Sequence, residues 1–256
     1  MRVTDQQGLV CKNHLQFGRW LDFAEAMAME RQLLDDATTA ARHGERSTFI
    51  SLWQTEKSIV LPSGMLRRGG LNGVVAALEG KGWPVYERDT GGDLTPQFDG
   101  VLNISMAFPM FGRERNIAQA YARLTSPLIA FLKHHFGLMA NTASVAGAFC
   151  DGAHNLVFEG KKLAGTAQRW RPVSSRATAC GATAVLAHAA LLCNGDLSEA
   201  LATGNSFFAI SGIDRRIDPS VHVTMSELVG DEQGTPREFA RSFAEWVQTN
   251  ALHEQV

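Results

Sequence analysis

Apolar residues recur every three or four positions in several segments of the chain. This spacing predicts amphipathic helices that turn one face toward a core. The predicted helices cover residues 21–41, 71–79, 116–136 and a C-terminal segment that begins at Thr235. The last segment has its own start signal, because Thr235 can cap the helix, Pro236 suits the first turn and Glu238 completes a capping box.

Shorter β-type runs separate the helices. Runs of branched and aromatic residues that end at Gly, Pro or Asn predict strands. The predicted strands cover residues 49–60, 84–88, 101–106, 155–158, 161–164 and 183–192. Glu159 and Gly160 form a two-residue turn between two of these runs, which predicts a β-hairpin. Because strands and helices mix without regular alternation, we predict an α/β fold with a mixed, largely antiparallel sheet flanked by helices.

No internal repeat, Pro-rich linker or charged block marks a domain boundary. A chain of 256 residues is long enough to bury one large core. We therefore expect residues 1–256 to form a single domain, with a small C-terminal appendage after about residue 197 as the alternative.

Charge and hydropathy narrow the classes of partner. A formal net charge of −2, without a dense run of Lys and Arg, argues against nucleic acid, and the doublet Arg215-Arg216 is expected on solvated surface. The N-terminus lacks the apolar core of a signal peptide. The most apolar run, residues 182–193, is too short for a span of about 20 residues. We expect a soluble cytoplasmic protein that binds neither nucleic acid nor a membrane.

Several common signatures of nucleotide and hydrolase sites are missing. The chain has no P-loop, no Gly-x-Gly-x-x-Gly and no Gly-x-Ser-x-Gly. Cys11, Cys150, Cys180 and Cys193 are widely spaced and form no Cys-x-x-Cys pair, so we expect free thiols, no bound metal and no disulfide framework.

The first segment with candidate chemistry is Arg88-Asp-Thr-Gly-Gly-Asp-Leu-Thr-Pro-Gln97. Gly91 and Gly92 allow main-chain N–H groups to approach a ligand closely, and Arg88 can hold an anionic or carbonyl group. The alternative is a plain hairpin turn with a surface arginine.

The second segment runs from Gly147 to Gln168. Asp151-Gly152 is a turn signal, which places Cys150 on a loop and favours a reactive thiol. Around the predicted hairpin turn, Val157 should face Lys162, and Leu156 should face Leu163.

Lys162 is the lysine of this hairpin that we expect in a site. Its predicted neighbours on the same face, Asn155 and Ala164, are polar or small and leave room for a ligand. Such a lysine can hold the carbonyl of an acyl group. The alternative is a solvated surface lysine, which is the better interpretation of Lys161.

Together, the two segments resemble those of the superfamily of lipoate–protein ligases, octanoyltransferases and biotin ligases. The resemblance covers about residues 30–218 and is strongest in Arg88-x-x-Gly-Gly and in Gly160-x-Lys162-x-x-Gly165-x-Ala-Gln168. It implies that superfamily's catalytic domain, with a narrow tunnel for an eight-carbon acyl chain. The substrate-binding residues that it implies are Arg88, Gly91, Gly92, Gly165, Thr166, Ala167 and His188, although Ala189 stands where the family's His-Gly segment has glycine.

The sequence is more similar to the cysteine-dependent octanoyl and lipoyl amidotransferases than to the ATP-dependent ligases. The nucleophile of the former precedes the lysine hairpin, where Cys150 stands, while the ligases have a longer glycine turn that ends in His-Asp. This resemblance implies that Cys150 and Lys162 are catalytic and that no cofactor is required beyond the octanoyl or lipoyl group. The implied partners are lipoyl-domain carriers, namely the glycine-cleavage H protein or the acyltransferase subunits of 2-oxoacid dehydrogenases.

Two other functions remain open from the sequence. The first is an ATP-dependent lipoate–protein ligase, which would use ATP and Mg²⁺ to form lipoyl-adenylate. The second is a non-catalytic paralogue that binds lipoyl carriers. Cys180 resembles the nucleophile of another octanoyltransferase branch, but its position before the predicted strand of His188 does not fit that role.

Overall fold

The computed structural model describes residues 3–4, 10–11, 13–67, 70–174 and 181–250. Over that part of the chain the helices are α1 (Phe23–His43), α2 (Ser63–Leu66), α3 (Asn72–Glu79), α4 (Ile117–Phe136), α5 (Leu197–Ser211), α6 (Met225–Val229) and α7 (Pro236–Asn250). The strands are β1 (Val3–Thr4), β2 (Val10–Cys11), β3 (Asn13–Trp20), β4 (Thr48–Gln54), β5 (Ser58–Pro62), β6 (Val85–Arg88), β7 (Thr95–Gln97), β8 (Val101–Phe111), β9 (Asn141–Ala143), β10 (Asn155–Phe158), β11 (Lys161–Val173) and β12 (Ala182–Leu192). Cys180 lies outside the described residues.

Seven strands form the main sheet, in the order β3-β4-β8-β12-β11-β10-β9. Neighbouring strands are antiparallel except β3 and β4, which are parallel. A second sheet places β5 between β6 and β7. The predicted α/β fold, with a mixed and largely antiparallel sheet flanked by helices, is confirmed.

The two central strands, β8 and β12, send alternate side chains to two different layers. On one face of the sheet, Met106 and Val185 join the core that includes α4 and α7. On the opposite face, Ala107 and Leu186 pack against Leu34 of α1. Farther along this second face, another cluster joins the small sheet to α3 and α5. Because both faces are covered, β8 and β12 are nearly continuous apolar runs in the sequence.

Most predicted elements are confirmed, with ends that differ by a few residues. The four predicted helices correspond to α1, α3, α4 and α7, and the N–H of Glu238 donates to Thr235 Oγ1 at 3.2 Å, as the capping signal predicts. The strand predicted to end at residue 106 continues to Phe111, because Phe108 and Met110 extend its buried run. The sequence patterns do not predict every element: β3 and α5 are two that they miss.

The predicted hairpin is formed by β10 and β11. Its turn residues both have left-handed backbone, with φ of 47° at Glu159 and 79° at Gly160. Val157 faces Lys162, as predicted.

One register prediction for this hairpin is wrong. Leu156 faces Ala164 and not Leu163, because a β-bulge adds one residue to β11. The extra residue shifts the alternation of β11, so Ala164 joins the core that includes α4 and α7. Gly165 takes the place beside Lys162 that the sequence assigned to Ala164: a Cβ at Gly165 would lie 3.2 Å from Lys162 Nζ.

An additional strand, β7, lies between the glycine-rich turn and the strand predicted to begin at residue 101. The chain first enters β7, which pairs with β5. β6 pairs with the other edge of β5, so β6 and β7 do not pair with each other. The segment between them is therefore an arch over the end of β5, and the alternative of a plain hairpin turn is excluded.

The residues after Leu197 contribute to both main cores. Leu201 and Phe207 of α5 pack in the cluster that contains Cys150, and Phe239 of α7 packs against Phe131 of α4. The single domain over residues 1–256, with a small C-terminal appendage as the alternative, stays a prediction. None of the helices in the described ranges combines the length and apolar character that a membrane span requires.

Candidate active site

Two connecting segments meet over the α1 face of the main sheet. We call residues 89–94 the glycine turn and residues 144–154 the cysteine loop. The main-chain N–H of Asp93 donates to Cys150 Sγ at 3.3 Å, and a Cβ at Gly92 would lie 2.9 Å from the same sulfur. Cys150 itself has an unusual φ of 45° for a residue with a side chain. The Cys150 thiol is thus in direct contact with the main chain of the glycine turn.

Arg88 holds the glycine turn from inside. Its guanidinium donates to Thr95 Oγ1 at 2.9 Å and to the carbonyl oxygens of Gly91 and Asp93 at 3.1 and 2.8 Å. The side chain is buried, so the alternative of a surface arginine is wrong. Its expected contact with a substrate carbonyl stays a prediction.

Lys162 holds the cysteine loop. Its ammonium group donates to the carbonyl oxygens of Phe149 and Cys150, the second at 3.0 Å. It also lies 3.9 Å from the centre of the Phe149 ring. The side chain is fully buried, and burial lowers the pKa of Lys162 to about 8. The alternative of a solvated lysine is therefore wrong for Lys162, while Lys161 is exposed as expected.

Two further side chains fix the same loop. Asn155 Nδ2 donates to the Cys150 carbonyl oxygen at 2.8 Å. His222 Nε2 accepts the N–H of Phe149 at 3.3 Å, and its Nδ1–H donates to the Asp218 carbonyl oxygen at 3.0 Å. Burial, together with the charge of Lys162, lowers the pKa of His222 to about 4, so the imidazole is neutral near pH 7.

Arg215 joins the glycine turn to the cysteine loop. Its guanidinium forms an ion pair with the Asp93 carboxylate and donates to the Ala148 carbonyl oxygen at 3.1 Å. The sequence placed the doublet of Arg215 and Arg216 on solvated surface. That prediction holds for Arg216 and is wrong for Arg215, which is only partly exposed.

The remaining predicted site residues lie on β11 and β12, beneath the two loops. Thr166 Oγ1 donates to the His154 carbonyl oxygen at 2.8 Å. Ala167 lies 4.0 Å from the position of a Cβ at Gly92, and it pairs across the sheet with His188. The structure therefore brings all the predicted site residues together, and their individual roles stay predictions.

Comparison with known proteins places this arrangement in a family. Residues 22–245 match the model of the lipoyl protein ligase A/B catalytic domain. The chain belongs to this family. The resemblance stated from the sequence is confirmed, including its closeness to the octanoyltransferases, which the named relatives bear out.

The relatives of this lipoyl protein ligase A/B catalytic domain include named transferases. The chain is 32% identical to the octanoyl-[GcvH]:protein N-octanoyltransferase of Kyrpidia tusciae, over 71% of this chain and 62% of that protein. It is 34% identical to an uncharacterised protein of Cupriavidus necator, over 70% of this chain and 73% of that protein. The match to the octanoyltransferase of Geobacillus kaustophilus covers 55% of that protein. The chain thus spans little more than half the length of these transferases.

Solved structures of the family share the fold at low sequence identity. A lipoate-protein ligase A bound with ATP has a TM-score of 0.55 and 16% identity, covering 87% of this chain and 94% of that one. A lipoate protein ligase from Thermoplasma acidophilum has a TM-score of 0.56 and 15% identity, covering 93% of this chain and 84% of that one. This likeness supports the fold alone.

A cleft of about 560 Å³ opens beside the glycine turn of this family member. Its lining includes Ser63, Arg67, Thr90, Gly91, Gly92 and Arg169. The cleft therefore reaches the exposed side of Gly92, whose other side contacts Cys150. Of the other cysteines, Cys193 is fully buried, and burial raises the pKa of its thiol. Within the described ranges, no three His, Cys, Asp or Glu side chains are grouped to hold a metal ion.

The two glycines of the turn should differ sharply in their tolerance of a side chain. Gly92 has a φ of 102°, and its Cβ would meet both Arg88 Nη2 and Cys150 Sγ at 2.9 Å, whereas Gly91 has open space around it. We expect Gly92→Ala to lower the free energy of unfolding by about 1–3 kcal/mol, and Gly91→Ala to change it by less than about 0.5 kcal/mol. Denaturant unfolding of both variants tests this, and equal effects would contradict the close approach at Gly92.

His222 should make the fold sensitive to acid. Its pKa is about 4 in the folded protein and near 6.5 in the unfolded chain, so between these values the unfolded chain binds the additional proton. Stability should therefore fall as the pH decreases from about 6.5 to 4. We expect thermal unfolding of His222→Gln to depend less on pH in this window. A parallel pH dependence of the two proteins would show that His222 does not carry the effect.

Proposed function

We propose that the chain transfers an octanoyl or lipoyl group to a lysine of a lipoyl-domain carrier, through a thioester on Cys150. The observation that carries this proposal is the position of the thiol, which lies against the main chain of the glycine turn. The other side of the same turn lines an open cleft. The names of the relatives support it, since several are octanoyl-[GcvH]:protein N-octanoyltransferases.

The chemistry has two halves. In the first, the Cys150 sulfur attacks the acyl carbonyl carbon of the donor, and the bond from that carbon to the donor breaks with its electron pair going to the leaving group. The leaving group takes up the proton that the thiol gives up. In the second, the acceptor lysine attacks the thioester and forms an amide. The N–H of Asp93 is aimed at the reacting sulfur. Lys162 binds the carbonyl oxygens of Phe149 and Cys150, which precede and follow the Cys150 α-carbon along the chain. Neither half requires ATP.

The glycine-cleavage H protein is the carrier that the relatives' names suggest, and the acyltransferase subunits of 2-oxoacid dehydrogenases are further acceptors with the same type of lipoyl domain. The cytoplasm suits this chemistry, because a thiol nucleophile persists in a reducing compartment.

Mass spectrometry of the intact chain tests the thioester directly. We expect an octanoyl donor without acceptor to add about 126 Da, the mass of one octanoyl group, and neutral hydroxylamine to remove it. Cys150→Ser should form no such thioester and should not support transfer. Cys193→Ser is the matched control and should react normally, because its thiol is fully buried elsewhere in the core.

The same Cys150→Ser protein separates the alternatives. Incubation with ATP, Mg²⁺ and free lipoate should leave a carrier unmodified. Lipoylation of the carrier under these conditions would instead identify an ATP-dependent ligase. If the unaltered chain transfers nothing from either source but binds the carrier, it is the non-catalytic paralogue.

The neighbouring lysines of the hairpin provide a second test. Lys162→Met keeps most of the stem but removes the donors to the Phe149 and Cys150 carbonyl oxygens, so we expect the acylation rate to fall about 100-fold or more. Lys161→Met should be nearly neutral, since Lys161 is exposed. The rate of acyl-enzyme formation measures both, and equal losses would contradict the distinct roles of the two residues.

A further inference from the structure

A chain of four hydrogen bonds crosses the α1 face of the sheet and ends in the cleft. Trp53 Nε1 donates to Ser105 Oγ at 2.9 Å, and Ser105 Oγ donates to Glu30 Oε1 at 2.7 Å. The same carboxylate oxygen lies 3.0 Å from His188 Nδ1, and His188 Nε2 lies 3.3 Å from Thr90 Oγ1. Thr90 belongs to the glycine turn and lines the cleft.

The direction of these hydrogen bonds follows from the groups at their ends. The Trp53 indole can only donate, so the Ser105 hydroxyl hydrogen is left for Glu30. Burial by itself raises the pKa of Glu30, but the charge and hydrogen bond of His188 and the Ser105 hydroxyl outweigh it and lower the pKa overall. An ionised Glu30 can only accept, which places a hydrogen on His188 Nδ1. When His188 is in its neutral form, the form that can accept a proton, Nδ1 keeps the hydrogen that faces Glu30, and Nε2 receives the Thr90 hydroxyl.

This acceptor lies on the face of the sheet that the glycine turn and the cysteine loop cover. His188 and Ala167 are directly opposite each other in the antiparallel pair of β11 and β12, so their side chains share one face of the sheet. Ala167 in turn lies 4.0 Å from the Cβ position of Gly92, which is 2.9 Å from Cys150 Sγ. A buried carboxylate, an oriented imidazole and a hydroxyl in the cleft thus form an arrangement typical of acid–base catalysis.

We propose that Thr90, His188 and Glu30 relay a proton away from the acceptor lysine during the second half of the transfer. This inference rests on the proposed acyl-enzyme at Cys150. An ammonium group has no lone pair, so the acceptor lysine must lose a proton before it can attack.

The relay accounts for each proton. The ammonium gives one proton to the Thr90 oxygen as Thr90 gives its own to His188 Nε2, and Glu30 stabilises the imidazolium that results. The amine then attacks the thioester carbon, the C–N bond forms, and the C–S bond breaks with its electron pair going to sulfur. The second proton of the attacking nitrogen passes to the Cys150 sulfur, and His188 releases its proton to water.

The two halves of the reaction can be measured separately. A small octanoyl thioester acylates Cys150 without the relay, because the proton that the Cys150 thiol gives up goes to the departing thiolate. We expect His188→Gln, Glu30→Gln and Thr90→Val to slow the formation of the acyl-enzyme far less than they slow its reaction with the carrier lysine. Transfer from that acyl-enzyme to an unmodified carrier should slow by about 10²- to 10⁴-fold in His188→Gln. Thr90→Ser keeps the hydroxyl and should restore transfer.

Hydroxylamine distinguishes a proton relay from a structural role. This nucleophile is unprotonated at neutral pH, so it should discharge the acyl-enzyme of His188→Gln and Thr90→Val at the unaltered rate. Ser51→Ala is the matched control, because Ser51 is paired with Ser105 on the neighbouring strand and its buried hydroxyl has no hydrogen-bond partner among the described residues. It should leave both reactions unchanged.

Three results would overturn the relay. Equal slowing with lysine and with hydroxylamine would show that these residues only shape the glycine turn. Unaltered transfer to the carrier by both His188→Gln and Thr90→Val would show that the proton leaves by another route. If the unaltered protein forms no acyl-enzyme, the Cys150 mechanism fails first and the relay fails with it.

Discussion

A buried ammonium group requires hydrogen-bond acceptors, and the acceptors of Lys162 are main-chain oxygens of the loop that carries Cys150, the proposed nucleophile. Removing a charge from water costs several kcal/mol unless hydrogen bonds replace the lost solvation. The carbonyl oxygens of Phe149 and Cys150 provide that replacement. The cysteine loop must therefore close over β11, and the left-handed backbone of Cys150 follows from this closure. The position of the thiol depends on this one interaction more than on any contact of the sulfur itself.

Other side chains bind polar main-chain groups of the cysteine loop and of the glycine turn. Asn155 gives the Cys150 carbonyl a second donor, and His222 accepts the Phe149 N–H. On the opposite side, Arg88 satisfies the carbonyls of the glycine turn, and Arg215 connects the turn to the loop. The charged groups of Arg88, Lys162 and Arg215 thus bind oxygen atoms of the protein itself, so the glycine turn and the cysteine loop are held in place before any ligand binds. Such preorganisation is the usual source of electrostatic stabilisation in enzyme sites.

The sequence predicted local structure well and long-range pairing poorly. Hydrophobic periodicity located the main helices, and the Glu159-Gly160 turn located the hairpin, because both signals depend on neighbouring residues. The bulge at Leu163 has no local signal of this kind. Arg215 and His222 are remote in sequence from the loops that they hold, so only the folded chain reveals their roles. Glu30 did carry a signal: a carboxylate in line with Ala26 and Leu34, on the buried side of α1, indicates a buried partner.

Because of the bulge in β11, the orientation of Lys162 and Gly165 depends on the number of residues in the strand more than on the identity of the side chain at Leu163. Side chains alternate with a period of two, so residues three apart normally project from opposite faces. Because of the extra residue, Lys162 and Gly165 lie on the same face of the sheet, while Leu163 and Ala164 both pack in the core. Conservative exchange of Leu163 leaves this geometry in place. Its deletion would restore the ordinary alternation and turn either the lysine or the glycine away from the thiol, so the number of residues in this strand, and not the side chain at position 163, keeps Lys162 and Gly165 on one face.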